Sequence, residues 1–449
     1  MKKPELLAPA GTLKSMHYAF AYGADAIYAG QPRYSLRVRN NEFLNEKLLQ
    51  GINEAHALDK KFFLTVNSSP HNSKVKTFVK DLDPVAAMKP DAFIMADPGL
   101  IMMAREAWPD MPIHLSVQAN TVNYATVKFW QSMGVERIIL SRELSLDEIE
   151  EIRQECPDIE LEVFVHGALC IAYSGRCLLS GYFNHRDPNQ GTCTNSCRWK
   201  YDTKPAVETD EGIVEPKEII LSEGVLNNNG IGDQERHPLA DEVYFLEEKE
   251  RPGELLPIME DEHGTYIMNS KDLRAVEHVE RLCEIGVDCL KIEGRTKSHY
   301  YAARTAQTYR KAIDDAVAGK EFDVNLLGTL ENLANRGYTD GFYQRHHTHE
   351  YQSYMINASK SNRAQFVGEA IQVDRENDCI EIDVKNRFSV GDKLELVMPD
   401  GNNFEIVLER MENLKGEAME VAPGSGHQVR IPLNGLDIQG DRVLVSRFF

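Results

Sequence analysis

Residues 25–67 read DAIYAGQPRYSLRVRNNEFLNEKLLQGINEAHALDKKFFLTVN. The two ends of this stretch, residues 25–29 (DAIYA) and 61–67 (KFFLTVN), are short apolar runs, and residues 45–58 between them have helical spacing. A strand, a helix and a second strand of these lengths predict a parallel βαβ unit.

The same alternation continues on both sides of this unit. Further apolar runs that are expected to form strands are residues 5–9 (ELLAP), 91–97 (DAFIMAD), 113–119 (IHLSVQA), 137–142 (RIILSR), 162–166 (EVFVH) and 288–295 (DCLKIEGR). With the first two they make eight, the number that closes a (β/α)8 barrel. Residues 265–269 (TYIMN) are a ninth candidate, and an open doubly wound sheet is the alternative architecture. We favour the barrel because residues 9–11 (PAG) stand where such a sheet would have its glycine-rich phosphate turn.

The alternation ends near residue 342, and the rest of the chain has a different pattern. Within the first domain, residues 184–264 lose their periodicity and are expected to form a long insertion over the barrel. Residues 343–364 look like a linker. From residue 365 to 449, short alternating runs separated by turns predict a small antiparallel β-barrel. We therefore expect an α/β barrel domain at residues 1–342 and a second domain at residues 365–449.

The charge balance limits the classes of partner. The 449 residues include 50 Lys and Arg against 70 Asp and Glu, which gives a net charge of -20. A protein that merely coats nucleic acid would carry the opposite balance, so any RNA contact must come from a local basic patch. The candidates are residues 32–40 (PRYSLRVRN) and a basic helix at residues 295–311. Since no apolar run is long enough for a signal peptide or a membrane span, we expect a cytoplasmic protein.

Most of the predicted strands end in polar residues. These are Asn67, Asp97, Gln118, Asn120, Ser141, Arg142, Glu143, His166, Glu293 and Arg295. Because active sites of (β/α)8 barrels lie at the carboxyl ends of the strands, the set predicts a polar pocket there, although any single member could be an ordinary loop residue.

Each polar residue type suggests a role in that pocket. Arg142 and Arg295 are expected to hold a carboxylate or phosphate. His166, Glu143 and Glu293 are candidate proton carriers. The candidate substrate-binding residues are Asn67, Gln118, Asn120, Arg37 and Arg39.

Cysteines cluster directly after the seventh predicted strand. Cys170, Cys177, Cys193 and Cys197 are spaced C-x6-C-x15-C-x3-C, whereas the other four cysteines are scattered. In a reducing compartment such clusters more often bind metal than form disulfides. Four buried apolar thiols and a zinc site remain alternatives, but zinc sites usually contain a shorter Cys-x2-Cys-like spacing. Uneven spacing fits an iron–sulfur cluster, which needs one thiolate for each iron.

A family resemblance adds to this interpretation. Residues 162–170 (EVFVHGALC), followed by Gly175, Cys177 and Ser180, match the signature of the collagenase-like peptidase family of unassigned catalytic type. The resemblance extends over the whole length, including PELLAPAG, DAIYAG, HLSVQAN and LKIEGR. Within that family the chain is most similar to the bacterial members that install 5-hydroxyuridine at the wobble position of tRNA.

The resemblance implies an oxygen-independent hydroxylation of tRNA that depends on prephenate and on a 4Fe-4S cluster. The four cluster thiols of the family map onto Cys170, Cys177, Cys193 and Cys197. An electron-donor protein is a further candidate partner, and the sequence does not indicate the oligomeric state.

Two other functional classes are carried forward. A peptidase is suggested by the family name, although the chain has neither a His-Glu-x-x-His helix nor a Gly-x-Ser-x-Gly elbow. A non-catalytic RNA-binding scaffold with a structural metal is disfavoured by the polar strand ends.

Overall fold

A computed structural model describes residues 1–36, 41–169, 271–335, 337–344, 364–438 and 442–449. Between residues 170 and 270 it describes only the backbone of five short strands. None of the helices in these ranges is both long and apolar enough to cross a membrane.

Eight parallel strands form the first domain. They are β1 (Glu5–Pro9), β2 (Ala26–Gly30), β3 (Lys61–Val66), β4 (Ala92–Met95), β5 (Ile113–Leu115), β6 (Arg137–Ile139), β7 (Glu160–Ala168) and β8 (Cys289–Ile292). The sheet closes because β8 pairs with both β1 and β7: Cys289 is in register with Glu5 on one side and with Glu162 on the other. The eight predicted strands and the closed barrel are thus confirmed, and the open sheet is excluded.

Helices cover the outside of the barrel. They are α1 (Leu13–Ala21), α2 (Asn45–Ala57), α3 (Asn72–Val75), α4 (Phe78–Ala86), α5 (Pro98–Ala107), α6 (Tyr124–Ser132), α7 (Leu146–Glu155), α8 (Val279–Ile285), α9 (His299–Val317) and α10 (Asn325–Glu331). Short polar side chains fix several of their starts: Thr12, Asn123 and Ser298 each accept a hydrogen bond from a backbone N–H of the first turn. Ser145 and Glu148 form a reciprocal capping box at α7.

The described part of the ninth candidate strand, residues 265–266, does not belong to the barrel, and residues 267–269 lie outside the described residues. Gly264–Tyr266 pairs antiparallel with Leu255–Asp261 in a separate sheet. Instead Asp272–Arg274 lies antiparallel on β7, with Asp272 opposite Ala168, and Tyr338–Thr339 pairs with its other edge. The segment that follows Ala168 therefore leaves the barrel, and returns to it, along the same strand.

The second domain is an antiparallel half-barrel. Its strands are β9 (Ala364–Asp374), β10 (Cys379–Val384), β11 (Phe388–Ser389), β12 (Lys393–Val397), β13 (Phe404–Val407), β14 (Glu412–Asn413), β15 (Val421–Ala422), β16 (Gln428–Pro432) and β17 (Leu444–Phe448). Seven of them form one sheet in the order β13-β12-β17-β9-β10-β16-β14, and β11 pairs with β15. Strand β16 has five residues and ends in a proline.

Helix α9 joins the two domains. The phenol of Tyr300 is hydrogen-bonded to Ser446, and its ring stacks on Phe366 at a centroid distance of 4.7 Å. From α1's C-terminus, the hydroxyl of Tyr22 donates to the carbonyl oxygens of Val397 and Arg442. Because these contacts are buried, the half-barrel packs directly on the outside of the barrel.

Three cations of the basic helix at residues 295–311, one of the two candidate RNA-contacting patches, form ion pairs within the protein. Arg304 is 3% exposed and donates two hydrogen bonds to the carboxylate of Glu395. Arg310 pairs with Asp25, and Lys311 pairs with Asp315. Arg304, Arg310 and Lys311 are therefore each paired with a carboxylate of the protein.

Candidate active site at the barrel mouth

The amino-terminal end of the barrel is closed by a network of charged side chains. Arg137, at the start of β6, lies 2.7 Å from Glu5 and 2.8 Å from Glu160. Lys61 reaches Glu5 from β3 at 2.8 Å. Burial alone would raise the pKa of Glu5, but Arg137 and Lys61 hold that pKa below its usual value. The candidate functional site therefore lies at the other end, where the carboxyl ends of the strands meet.

A second buried pair lies further inside the barrel. The ammonium of Lys291 donates to Glu162 at 2.7 Å, and both residues are almost fully buried. Lys291 also lies 4.4 Å from the ring centroid of Tyr28. Burial lowers the pKa of Lys291, although Glu162 opposes this shift. Neither Glu162 nor Lys291 is among the predicted site residues, although each is a charged residue within an apolar strand.

At the carboxyl end, amide side chains gather after β3 and β5. Asn67 donates to the side-chain oxygen of Gln118 at 2.9 Å, and its own oxygen accepts from the backbone N–H of Leu36. Asn120 has a left-handed backbone with φ of 52° and donates to the carbonyl oxygen of Gln118. The three predicted substrate-binding amides are therefore neighbours at the mouth.

Arg142 follows β6 and is half-buried at the same mouth. Its guanidinium lies 3.8 Å from the ring centroid of Phe164, in stacking contact. Within the described parts of the chain it has no carboxylate partner. Next to it, the hydroxyl of Ser141 donates to the carboxylate of Glu143. A cation held in place by stacking, with no carboxylate paired to its N–H groups among the described residues, is suited to a bidentate anion.

Arg295, in contrast, is already engaged. It donates to the hydroxyls of Ser35 and Thr65 at 2.7 Å and 2.6 Å, and to the carbonyl oxygen of Leu36. These contacts tie the loop after β2 to the barrel, so Arg295 shapes the mouth. Glu293 precedes it and is half-buried at the end of β8.

His166 does not face the barrel interior. The pairing of β7 with β8 shifts by one residue, so that Phe164 is opposite Lys291 but His166 is opposite Ile292. A shift of one residue turns the following side chain to the other face. The imidazole therefore packs among tyrosines of the outer layer, with ring centroids 5.9 Å from Tyr301 and 5.6 Å from Tyr309.

This placement changes what His166 can do. It is 1% exposed, and burial lowers its pKa to about 3. The ring is therefore neutral at neutral pH and is not suited to exchange protons there. Gly167 makes the bulge feasible: its φ is +105°, and a Cβ would lie 2.6 Å from the carbonyl oxygen of Glu293.

The remaining predicted site residues lie outside the described residues. They are Arg37, Arg39, Cys170, Cys177, Cys193 and Cys197. Asp97 caps α5 by accepting from the N–H of Leu100, which is an ordinary structural role.

The described neighbours of the cysteine segment bear on whether an iron–sulfur cluster fits. Ala168 ends β7 at the carboxyl side of the barrel, and Leu169 after it is buried. The chain returns at Asp272, directly opposite Ala168. Both ends of the segment thus meet the mouth, and its four thiols are the donor set that such clusters use. The four cysteines match a 4Fe-4S cluster in number and in donor chemistry, and the segment that carries them begins and ends beside the mouth.

A closed parallel barrel whose polar side chains gather at the carboxyl ends of the strands defines a TIM-barrel protein with a candidate site at that mouth. Residues 11–353 match Peptidase family U32, and residues 362–443 match the Peptidase family U32 C-terminal domain. The chain belongs to peptidase family U32.

Relatives within this family give the comparison more detail. The chain is 63% identical to tRNA hydroxylation protein P of Escherichia coli K12, over 100% of this chain and 98% of that protein. It is 61% identical to tRNA hydroxylation protein P of Haemophilus influenzae, over 95% of this chain and 92% of that protein. Among solved structures, the C-terminal domain of a Geobacillus thermoleovorans chain described as a U32 peptidase is 21% identical and covers 18% of this chain and 90% of its own, with a TM-score of 0.17.

Proposed function

We propose that the protein hydroxylates tRNA, adding a hydroxyl group at C5 of the wobble uridine in a reaction that depends on prephenate and an iron–sulfur cluster. The observation that carries this proposal is the 63% identity, along the whole chain, to a tRNA hydroxylation protein. The fold supports it by providing a polar mouth of the kind that barrel enzymes use.

In this proposal Arg142 receives the anionic cosubstrate. Its guanidinium is stacked on Phe164 and has no carboxylate partner among the described residues. Prephenate carries carboxylates, and a planar guanidinium binds a carboxylate through two parallel hydrogen bonds. Arg142 would therefore fix the orientation of prephenate next to the uridine.

The amide cluster would read the base. Chemistry at C5 requires the uridine to leave its stack and enter the mouth. The side-chain oxygen of Gln118 accepts hydrogen bonds from Asn67 and Ser116. Its amide nitrogen has no acceptor among the described residues and would donate to a uracil carbonyl. Glu143 and Glu293 are carboxylates at the mouth that would exchange protons with the base or the cosubstrate.

The iron–sulfur cluster would be held by Cys170, Cys177, Cys193 and Cys197 and would supply the redox chemistry. An electron-donor protein is a further proposed partner. Arg295 and His166 would act as positioning residues, because their own contacts commit them to the surrounding structure.

Two measurements test this function. Mass analysis of tRNA nucleosides from a deletion strain should show loss of 5-hydroxyuridine, restored by the wild-type chain. Anaerobically purified protein should be brown with broad visible absorption. Cys170→Ser and Cys193→Ser should abolish both the colour and the modification.

Cys379→Ser is the matched control, since Cys379 is a free, partly exposed thiol in the half-barrel. It should keep both properties. A colourless zinc protein would argue for a scaffold or hydrolase, and intact 5-hydroxyuridine in either cluster variant would refute a catalytic cluster.

A further inference from the structure

One rim of the barrel mouth has a charge pattern that the site described above does not use. Residues 68–80 read SSPHNSKVKTFVK and contain three lysines and no carboxylate, in a chain with 70 Asp and Glu. This segment follows β3 and includes α3 and the first turn of α4. Because it follows the carboxyl end of a barrel strand, it belongs to the rim of the mouth.

The three lysines are displayed without acidic partners. Lys76 and Lys80 are exposed and Lys74 is partly exposed. Within the described chain none of the three has a carboxylate in ion-pair contact, and of their ammonium groups only that of Lys74 makes a hydrogen bond, to the carbonyl oxygen of Arg33. Their ammonium groups are therefore available to an external anion.

The nearest carboxylate in the sequence, Asp81, is already neutralised. It pairs with Arg33 at 3.0 Å and accepts hydrogen bonds from Tyr34 and Thr77, each at 2.6 Å. Tyr34 is fully buried, and its hydroxyl also donates to the carbonyl oxygen of Lys74, so the segment is held against the barrel core. The next carboxylate, Asp83, accepts a hydrogen bond from the indole of Trp108. Together with Arg33, the three lysines outnumber these two carboxylates, so the local charge is positive.

The opposite end of the barrel shows the contrary arrangement. Lys2 pairs with Asp288 at 2.6 Å, Lys3 with Asp314 at 2.7 Å and Lys320 with Asp315 at 2.9 Å. Each of these three lysines has an aspartate partner, whereas none of the three lysines after β3 has a carboxylate in ion-pair contact among the described residues.

We propose that Lys74, Lys76 and Lys80 form a docking surface for the phosphate backbone of tRNA on the β3 side of the mouth. The identity of the polyanion rests on the proposed function. Exposed lysines spread along a segment suit successive phosphates, whereas a small anion needs cations that converge on one point. A local positive field also offsets the repulsion between an acidic protein and RNA.

The proposal divides the mouth between two anions. The backbone lies on the rim after β3, and Arg142, which follows β6, takes the small carboxylate across the mouth. Loss of the lysines should therefore weaken tRNA binding without changing the concentration of prephenate that half-saturates the reaction. Loss of Arg142 should have the opposite effect.

The test compares two triple variants with the same net charge. Lys74→Gln/Lys76→Gln/Lys80→Gln removes the proposed surface. Lys3→Gln/Lys89→Gln/Lys320→Gln removes three lysines from the opposite end. Binding of purified full-length protein to unmodified tRNA is measured by fluorescence anisotropy at several salt concentrations, and circular dichroism checks that both variants fold.

We expect the mouth variant to bind tRNA roughly 10- to 100-fold more weakly, and its plot of log affinity against log salt to be shallower by about 2 to 3. The control should stay within about twofold of wild type. Equal affinity and equal slope in the mouth variant and wild type, with the wild type still hydroxylating tRNA in cells, would overturn the docking surface alone. A wild type that neither binds nor modifies tRNA would overturn the docking surface together with the proposed function.

Discussion

Strand β6 has an arginine at its first residue and another just past its end, and the two are used in different ways. Arg137, at the amino-terminal end, is 3% exposed and contacts the carboxylates of Glu5, Glu160 and Glu162. Arg142, at the carboxyl end, stacks on Phe164 and has no acidic partner in the described chain. The same residue type thus closes the barrel at one end and stays available to a ligand at the other.

The largest expected effect is on stability at the closed end. Arg137→Ala leaves Glu5 and Glu162 without their shared cation in a buried site, and we expect the free energy of unfolding to fall by about 3–5 kcal/mol. Chemical denaturation measures this change. Arg142→Ala is the matched control and should cost less than about 1 kcal/mol. Similar losses in both variants would break the contrast between the two ends.

A second prediction concerns His166, which lies near the mouth end but faces the outer layer. Its folded-state pKa of about 3 lies below the ordinary value of 6.5, so the unfolded chain binds a proton more readily. The neutral ring therefore adds stability that is full above pH 6.5 and is lost as the pH falls toward 3.

His166→Phe should remove this dependence. Between pH 7 and 4.5 the wild type should lose about 2–3 kcal/mol more than the variant. Urea unfolding at the two pH values measures the difference, and a variant at the exposed His427 serves as the control. Parallel losses in wild type and His166→Phe would show that the buried imidazole does not titrate as its surroundings suggest.

The third effect sharpens the functional side of the contrast. Arg142→Ala should raise the prephenate concentration required for half-maximal tRNA hydroxylation by roughly 10- to 100-fold, because a bidentate contact is lost. Arg142→Lys should restore only part of it, since an ammonium cannot form the paired hydrogen bonds. An unchanged requirement in Arg142→Ala would move the anion site elsewhere.

The smallest effect is expected for an exposed ion pair at the closed end. Lys3 and Asp314 are about half-exposed, and Lys3→Gln should change the free energy of unfolding by less than about 0.5 kcal/mol. Thermal unfolding of Lys3→Gln, compared with that of the wild type and of Arg137→Ala, measures this change in stability. A loss near that of Arg137→Ala would mean that position at this end, rather than burial, sets the energetic value of a cation.

The sequence was sufficient for the barrel and insufficient for parts of its site. Strands and helices can be read from local spacing, and the eight apolar runs are the eight strands of the barrel. The orientation of His166 could not be predicted from the sequence, because the shift in pairing between β7 and β8 depends on contacts between distant segments. The burial of Arg304 likewise depends on Glu395, which is 91 residues away.

Other features left a signal that was not used. Glu162 and Lys291 each interrupt an apolar strand, and a charged residue in that position commonly has a buried partner. The carboxylate-free run at residues 68–80 is visible in the sequence, but its position at the mouth becomes clear only once the barrel is closed. The cluster assigned to the four cysteines stays a prediction.

The antiparallel strand Asp272–Arg274 has a consequence for how the family can vary. Because Asp272 pairs with Ala168 on β7, the segment between these two residues has both of its ends held at the same strand. Lengthening a chain segment with fixed ends costs little, about 0.6 kcal/mol for each doubling. A change in the length of this segment should therefore cost the eight-stranded barrel little stability.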